Sequence, residues 1–349
     1  MRIRFLDLFA GAGGLSHGLG GAGLECVYSN EIDPVFCETF KKNHKNVFVD
    51  NQDITKINIK ENFKKYKGVE LVVGGPPCQG FSQKGSRKGI NDERNFLFQK
   101  FVNVVEIVKP KVFLMENVPN LLTSSNGFFY KQIHEKFSLL GYKVSSSVLN
   151  AYEYGVPQKR KRAFIIGHQT NKNFEFPKKE ILEINVFDAI SDLPQLKSGE
   201  GTNFIDYISP PQSEYQKKMR KNSKGIYNHI ATNHSKDALE KLSLIPPLGD
   251  KNDLPSQLRT KSIYSGTWSR IDPSGPSRTI TTRFDTPSSG QFTLNDQDRC
   301  LTVREAARIQ SFPDSFIFYG NKTSQMKQVG NAVPPLLAKK IGTKILELF

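Results

Sequence analysis

Apolar positions along this chain fall into short blocks of two kinds, which alternate. Blocks at 2–9, 24–29, 47–49, 71–73, 111–115, 143–149 and 163–167 are compact and rich in Val, Ile, Leu and Phe, and they read as strands. Blocks at 16–23, 96–108 and 127–141 have helical spacing or helix-end glycines and read as helices. Strands alternating with helices predict an α/β protein with an open sheet, in which ligands bind beyond the carboxyl ends of the strands. The chemistry-bearing residues should therefore follow the predicted strands.

They do. The first strand runs into Phe9-Ala-Gly-Ala-Gly-Gly-Leu15. Gly11, Gly13 and Gly14 allow a ligand to approach the backbone, and a helix N-terminus follows. A dinucleotide fingerprint is the obvious rival, but Ser16 stands where its third glycine belongs. The second strand ends in Asn30-Glu31-Ile32-Asp33. Glu31 lies at the distance from the loop that suits a ribose diol, while Asp33 before Pro34 equally reads as a helix cap. Asp53, followed by Ile54, comes after the third strand and can accept from an adenine amino group. Together these three strand ends describe a nucleoside site that needs no phosphate.

The fourth strand delivers Gly74-Gly-Pro-Pro-Cys-Gln-Gly-Phe-Ser82. Two prolines stiffen the backbone and present Cys78 at a strand end, where a thiolate can act as a nucleophile. Taken alone, a buried and inert cysteine is as good a reading. Residues 80–95 are polar and long enough for a lid. The fifth strand ends in Glu116-Asn-Val-Pro, a second reactive side chain at a neighbouring strand end. Before the seventh strand stands Gln158-Lys-Arg-Lys-Arg162, and on a strand Gln158, Arg160 and Arg162 would share one face. A solvated basic edge is the alternative.

Composition narrows the field. A chain of 349 residues exceeds one ordinary core, so two lobes are expected. No apolar run approaches the roughly 20 residues of a membrane span. Met1-Arg-Ile-Arg leads straight into a strand, which leaves no room for a signal peptide, so a cytoplasmic protein is expected. Cys26, Cys37, Cys78 and Cys300 are scattered, with no C-x-x-C pair and no nearby histidine cluster, which argues against a zinc site and against a disulfide framework. A formal charge of +15 attracts polyanions, nucleic acid first among them, although many basic proteins in lysine-rich proteomes have no such partner.

FAGAGG, Glu31, GGPPCQGFS, ENV, QKRKR, RCLTVREAARIQSFP (299–313) and QVGNAVP (328–334) follow one another in the order seen in DNA cytosine-5 methyltransferases. The chain resembles a prokaryotic restriction-modification enzyme of that family, and only about residues 195–298 lack a family signature. The resemblance implies a Rossmann-like class I methyltransferase sheet with a smaller target-recognition domain. Residues 1–195 would form the catalytic and cofactor-binding domain and 196–298 the recognition domain. Residues 299–317 would be a hinge, and 318–349 would return to the catalytic domain through a final helix at 334–348.

It further implies S-adenosylmethionine as cofactor, S-adenosylhomocysteine as product, and no metal. Phe9, Ala10, Gly11, Gly13, Gly14, Leu15, Glu31, Ile32, Asp53, Ile54, Pro76 and Leu97 would line the cofactor pocket, with Asn331 and Ala332 closing it. Cys78 would add to carbon 6 of a cytosine so that carbon 5 can attack the methyl group. Glu116, protonated or sharing a proton, would hold nitrogen 3, which needs a raised carboxyl pKa. Arg160 and Arg162 would face the base and its phosphates and favour the thiolate. The base must leave its duplex, at a cost of a few kcal/mol.

Double-stranded DNA is the implied partner, with a cognate restriction endonuclease encoded nearby and a monomeric enzyme. Candidate DNA contacts are Gln79, Ser82 and Arg94, the cluster Lys217, Lys218, Arg220 and Lys221, and Arg278 and Arg283 in a predicted strand at 278–284. The basic cluster also reads as a solvated helix face. Two further readings stay open: a tRNA cytosine-5 methyltransferase of the related family, whose Cys-Phe-Thr signature is not found here, and an inactive nucleic-acid-binding homologue.

Overall fold

The structure, a computed structural model, describes residues 2–77, 96–180, 182–260 and 265–349. It divides into two compact units. The first comprises Met1–Glu153, Lys161–Glu180 and Pro335–Phe349, and the second Tyr154–Arg160 and Ile181–Pro334. These borders differ from those expected at 195 and 298. The second unit starts earlier, takes in a segment preceding the seventh strand, and extends to Pro334.

In chain order the first unit holds β1 (Arg4–Leu8), α1 (Gly14–Gly21), β2 (Glu25–Asn30), α2 (Pro34–Asn43), β3 (Phe48–Asp50), α3 (Ile59–Phe63) and β4 (Leu71–Gly74). It continues with α4 (Phe96–Val108), β5 (Val112–Asn117), α5 (Asn120–Thr123), α6 (Phe128–Leu139), β6 (Lys143–Asn150) and β7 (Lys161–His168). The second unit holds α7 (Val186–Ile190), β8 (Gly201–Ile205), α8 (Glu214–Arg220), β9 (Ile226–Ile230), α9 (Lys236–Ser243), α10 (Val303–Ile309) and α11 (Lys322–Asn331). The chain ends with α12 (Pro335–Leu346) in the first unit.

Among the described residues, β3-β2-β1-β4-β5-β7-β6 form one sheet in that order. Its first five strands are parallel, and β7 is antiparallel to both β5 and β6. The central strands are apolar on both faces because helices cover both. Every residue of β4 is buried, as are Phe5 to Leu8 of β1. On α4, Phe98, Phe101, Val102, Val105 and Val108 recur at helical spacing and pack into this core. Where α1 meets α12 the backbones touch: a Cβ on Gly18 would overlap the Pro335 carbonyl oxygen and the Ala338 Cβ. That contact fixes the terminal helix in the unit.

The strand order reverses at β1, with β2 on one side and β4 on the other, which is the switch point where such sheets open a crevice. Register carries the consequence across five strands. Asp50, Asn30, Leu8, Gly74 and Met115 form one paired row. The next residue on each strand is Asn51, Glu31, Phe9, Gly75 or Glu116, so the predicted site residues start from one level.

The second unit has little regular structure. Its strands β8 and β9, separated in the chain by α8, pair antiparallel. The segment at 278–284 expected as a strand is irregular, and its contacts run through side chains: Thr279 Oγ1 donates to the Lys159 carbonyl and the Ile280 N–H to Gln158 Oε1. Among the described residues, four fully buried arginines stand out among the large side chains of the interior: Arg160, Arg299, Arg304 and Arg308. Arg304 donates to the carbonyls of Tyr227, Pro313 and Phe316, and Arg308 to Ala189 O, Asp192 and Asp314. Arg299 forms a two-pronged pair with Glu305, which also closes a capping box with Thr302. Arg270, nearly buried, gathers the carbonyls of Leu242, Ile245, Leu294 and Gln297.

Candidate active site

The glycine loop after β1 is shaped by backbone conformations that side chains rarely adopt. Phe9 has φ 58°, Gly11 57° and Gly13 94°. The Ala10 N–H donates to the Asn30 carbonyl, and the Gly13 N–H to the Ala10 carbonyl. Gly13 also lies flat against α2: a Cβ there would overlap His44 Cε1 and come within 2.8 Å of Phe40 Cδ2. Only glycine satisfies both demands at that position. Gly14 and Leu15 are buried at the start of α1, and Ala10 packs against the small core under α2.

Glu31 does more than its sequence position suggests. Its Oε2 accepts from the Gly11 N–H at 2.9 Å and its Oε1 from the Asp33 N–H at 3.0 Å. The carboxylate therefore braces the glycine loop while remaining half-buried at the strand end. Burial raises its pKa, and these backbone donors oppose the rise. Asp33 caps α2 through Val35 and Phe36, so both readings of the NEID stretch hold together. Ile32 beside it is 63% exposed, an apolar side chain standing open at the end of β2. Asp53 accepts from the N–H and hydroxyl of Thr55, which hold its carboxyl below the usual range. Ile54 faces away into the main core and supports this loop from beneath.

Beneath the loop lies a pair that the sequence does not suggest. Asp7 is 1% exposed, and its Oδ2 accepts from the Ser16 hydroxyl at 2.6 Å. Burial pushes its carboxyl up to about 7; the Ser16 hydrogen bond opposes this, and the nearby Glu31 charge adds to it. Ser16, notable in the sequence only as a missing glycine, thus ties α1 to β1.

On the other side of the switch point, Gly75 donates to the Leu8 carbonyl, and a Cβ on it would lie 3.1 Å from Glu116 Oε2. Pro76 is buried, and its carbonyl accepts from Asn117 Nδ2 at 2.8 Å. Those contacts hold the chain as it leaves β4 toward Cys78. Cys78, Gln79, Ser82, Arg94 and the predicted lid at 80–95 lie outside the described residues. Leu97 is half-buried in the first turn of α4.

Glu116 pairs with Phe164 across β5 and β7, which puts Arg162 diagonally beside it on the same face. Arg162 Nε lies 3.1 Å from Glu116 Oε1, with both side chains nearly buried. Burial lowers the guanidinium's pKa and Glu116 opposes that shift. Arg160 does not share this face, which corrects the expectation. The strand begins at Lys161, and Arg160 belongs to the second unit, fully buried, donating to the carbonyls of Ile280 and Gly330.

Of the remaining candidates, Asn331 ends α11 and Ala332 follows it, both in the second unit. Arg220, a candidate DNA contact, turns inward: its Nε is 2.6 Å from Asp192 Oδ2, and its guanidinium lies over the Tyr207 ring. Lys217, Lys218 and Lys221 are exposed, and Lys217 pairs with Glu214 one helical turn away. Arg278 is exposed and donates to Ser265, and Arg283 meets Asp285.

Comparison with known proteins places this arrangement. The family model of the C-5 cytosine-specific DNA methylases matches residues 3–347. The chain is 40% identical to the Type II methyltransferase M1.HphI of Haemophilus parahaemolyticus, over 100% of this chain and 88% of that protein. It is 37% identical to M.DdeI of Desulfomicrobium norvegicum, over 98% and 88%. Among solved structures, a putative DNA modification methyltransferase encoded within an E. coli prophage matches with TM-score 0.80 at 27% identity, covering 99% of each chain. The S. pombe Dnmt2 methyltransferase shares the fold at TM-score 0.63 and 19% identity. A glycine loop braced by an acid at the next strand end, a Glu–Arg pair across the switch point, and a family match over nearly the whole length lead to one assignment: the chain belongs to the C-5 cytosine-specific DNA methylase family and is a DNA cytosine-5 methyltransferase.

Proposed function

We propose that this enzyme methylates carbon 5 of a cytosine flipped out of a specific double-stranded DNA sequence, through a covalent adduct between Cys78 and carbon 6. The observation that carries the reading is the row of residues one step beyond the sheet. It sets the braced glycine loop beside a rigid Gly-Pro-Pro exit from β4 and the Glu116–Arg162 pair on the neighbouring strand.

The residues fit a nucleoside cofactor. Glu31 keeps acceptor capacity toward a ribose diol, Ile32 offers an open apolar surface for a base, and Asp53 stands ready as an acceptor on the β3 side. Bound there, S-adenosylmethionine supplies an electrophilic methyl group. Adding the Cys78 sulfur to carbon 6 makes carbon 5 electron-rich, and loss of the carbon 5 proton followed by elimination of the thiolate restores the ring. Glu116 holds nitrogen 3 of the base by sharing a proton with it, since that nitrogen and an ionised carboxylate are both acceptors. Arg162, 3.1 Å from that carboxylate, fixes its orientation and offsets charge developing on the ring.

Sequence choice is assigned to the second unit, whose exposed Lys217, Lys218 and Lys221 suit phosphates. The names of the relatives, Type II methyltransferases, support a place in a restriction-modification system. In that reading the enzyme would act as a monomer in the cytoplasm alongside a cognate endonuclease.

Duplex DNA with 5-fluorocytosine at the target position tests the adduct, because carbon 5 then has no proton to lose. The full-length enzyme should form a denaturation-resistant complex with it in the presence of S-adenosylmethionine, and Cys78→Ser should form none while still binding S-adenosylhomocysteine. Full methylation by the serine variant would refute the proposal. Transfer RNA run in parallel should remain unmodified.

A further inference from the structure

The parallel ladder between β2 and β3 is only three residues long and stops at Asn30 opposite Asp50. Glu31 and Asp53 both lie beyond it, where the Glu31 N–H to Asp50 carbonyl bond at 3.1 Å continues the pairing by one step. From there two asparagines join the loops, reaching in opposite directions. Asn30, 2% exposed, sends its amide from β2 to the carbonyls of Asp50 at 3.3 Å and Gln52 at 2.9 Å. Asn51 sends its amide from the β3 side to the carbonyls of Glu31 at 3.0 Å and Ile32 at 2.9 Å. Each amide thus holds two successive or near-successive carbonyls of the opposite loop, among them that of Glu31 itself and that of Gln52 next to Asp53. Below them, the Tyr28 hydroxyl donates to Asp50 Oδ2 at 2.9 Å and secures the same junction.

We propose that Asn30 and Asn51 act as positioning residues, a reciprocal clasp that sets the spacing between Glu31 and the loop carrying Asp53. The proposal rests on the reading of Glu31 as the ribose acceptor. A nucleoside that meets Glu31 through its sugar and the β3 loop through its base spans both loops, so a relative shift of about 1 Å would weaken one contact or the other. Neither asparagine touches the reacting atoms. Its loss therefore acts on nucleoside affinity and leaves the chemical step alone.

Calorimetry with S-adenosylhomocysteine on the full-length enzyme tests this. Asn51 is exposed, so Asn51→Ala should fold normally and weaken binding about fivefold; Asn30→Ala should weaken it further, though burial makes its folding less secure. With saturating DNA, the KM for S-adenosylmethionine should rise by the same factor, while kcat stays within about twofold and the KM for DNA is unchanged. A double-mutant cycle separates positioning from general loosening: in a Glu31→Ala background, Asn51→Ala should cost less than about twofold. Unchanged affinity in Asn51→Ala, full additivity with Glu31→Ala, or a parallel fall in kcat would each overturn the clasp. Should Glu31→Ala itself bind with unchanged affinity, the ribose reading fails and the clasp falls with it. A weakened Glu31→Ala beside an unaffected Asn51→Ala removes the clasp alone.

Discussion

Replacing Asp7 with Asn should make the stability of the folded enzyme less dependent on pH between 3.8 and about 7. Asp7 is buried under the glycine loop, where its Oδ2 meets the Ser16 hydroxyl and the Glu31 carboxylate lies close enough to repel it. Its carboxyl rises from the ordinary 3.8 to about 7. Below 3.8 both folded and unfolded chains keep the proton, and Asp7 contributes nothing to pH dependence. Between 3.8 and about 7 the unfolded chain releases the proton while the folded protein holds it, so stability falls as pH rises. Above about 7 the penalty is complete, and the gap corresponds to a cost on the order of 4 kcal/mol. Asn keeps the shape, can still bond the Ser16 hydroxyl, and has no proton to lose. Urea unfolding at pH 5 and pH 8 is the assay. Wild type should lose stability between the two through this group, and Asp7→Asn should lose less, by about 1–4 kcal/mol. Identical pH slopes in the two proteins would refute the reasoning.

Gly13→Ala should reduce S-adenosylhomocysteine affinity by tenfold or more. The positive φ alone costs alanine about 1–2 kcal/mol, and the new Cβ would displace His44 and Phe40; normal calorimetric affinity would contradict the loop geometry. Converting Lys217, Lys218 and Lys221 to Gln should weaken binding to all DNA sequences alike. The salt slope, measured by fluorescence anisotropy, should flatten by about 0.9 for each phosphate no longer neutralised. Arg220→Ala should act differently, lowering stability by about 3 kcal/mol in thermal or urea unfolding because it strips a partner from buried Asp192.

The strands of the first unit, with helices α1, α4 and α6, can be read from the chain to within a few residues, because a parallel sheet covered on both faces requires apolar blocks of limited length; the short α3 and α5 leave no such mark. The site is legible for the same reason: register places Glu31, Phe9, Gly75 and Glu116 on one level, and each follows an apolar block. Reading fails where side chains replace the backbone ladder. Residues 278–284 alternate like a strand, yet no described strand pairs with them, and Gln158 and Lys159 provide their contacts instead. The same bonds place residues 154–160 in the second unit, which also removes Arg160 from the face it was expected to share with Arg162. Arg220 escapes a reading by charge, because charge along a helix does not reveal which member turns inward to an aspartate. The roles of Asn30, Asn51 and Ser16 are equally hidden, since their partners are backbone carbonyls or a strand residue that no local pattern marks.

The buried arginines of the second unit bear on how such enzymes diverge. A sheet transmits each insertion to its neighbours through register, so its surface is costly to rewrite. Arg270, Arg299, Arg304 and Arg308 hold irregular segments from within, through backbone carbonyls that every residue type provides. Outward-facing side chains on those segments are then exempt from the work of folding. Selection can exchange them one at a time, and lineages sharing one interior can vary that surface without passing through unfolded ancestors.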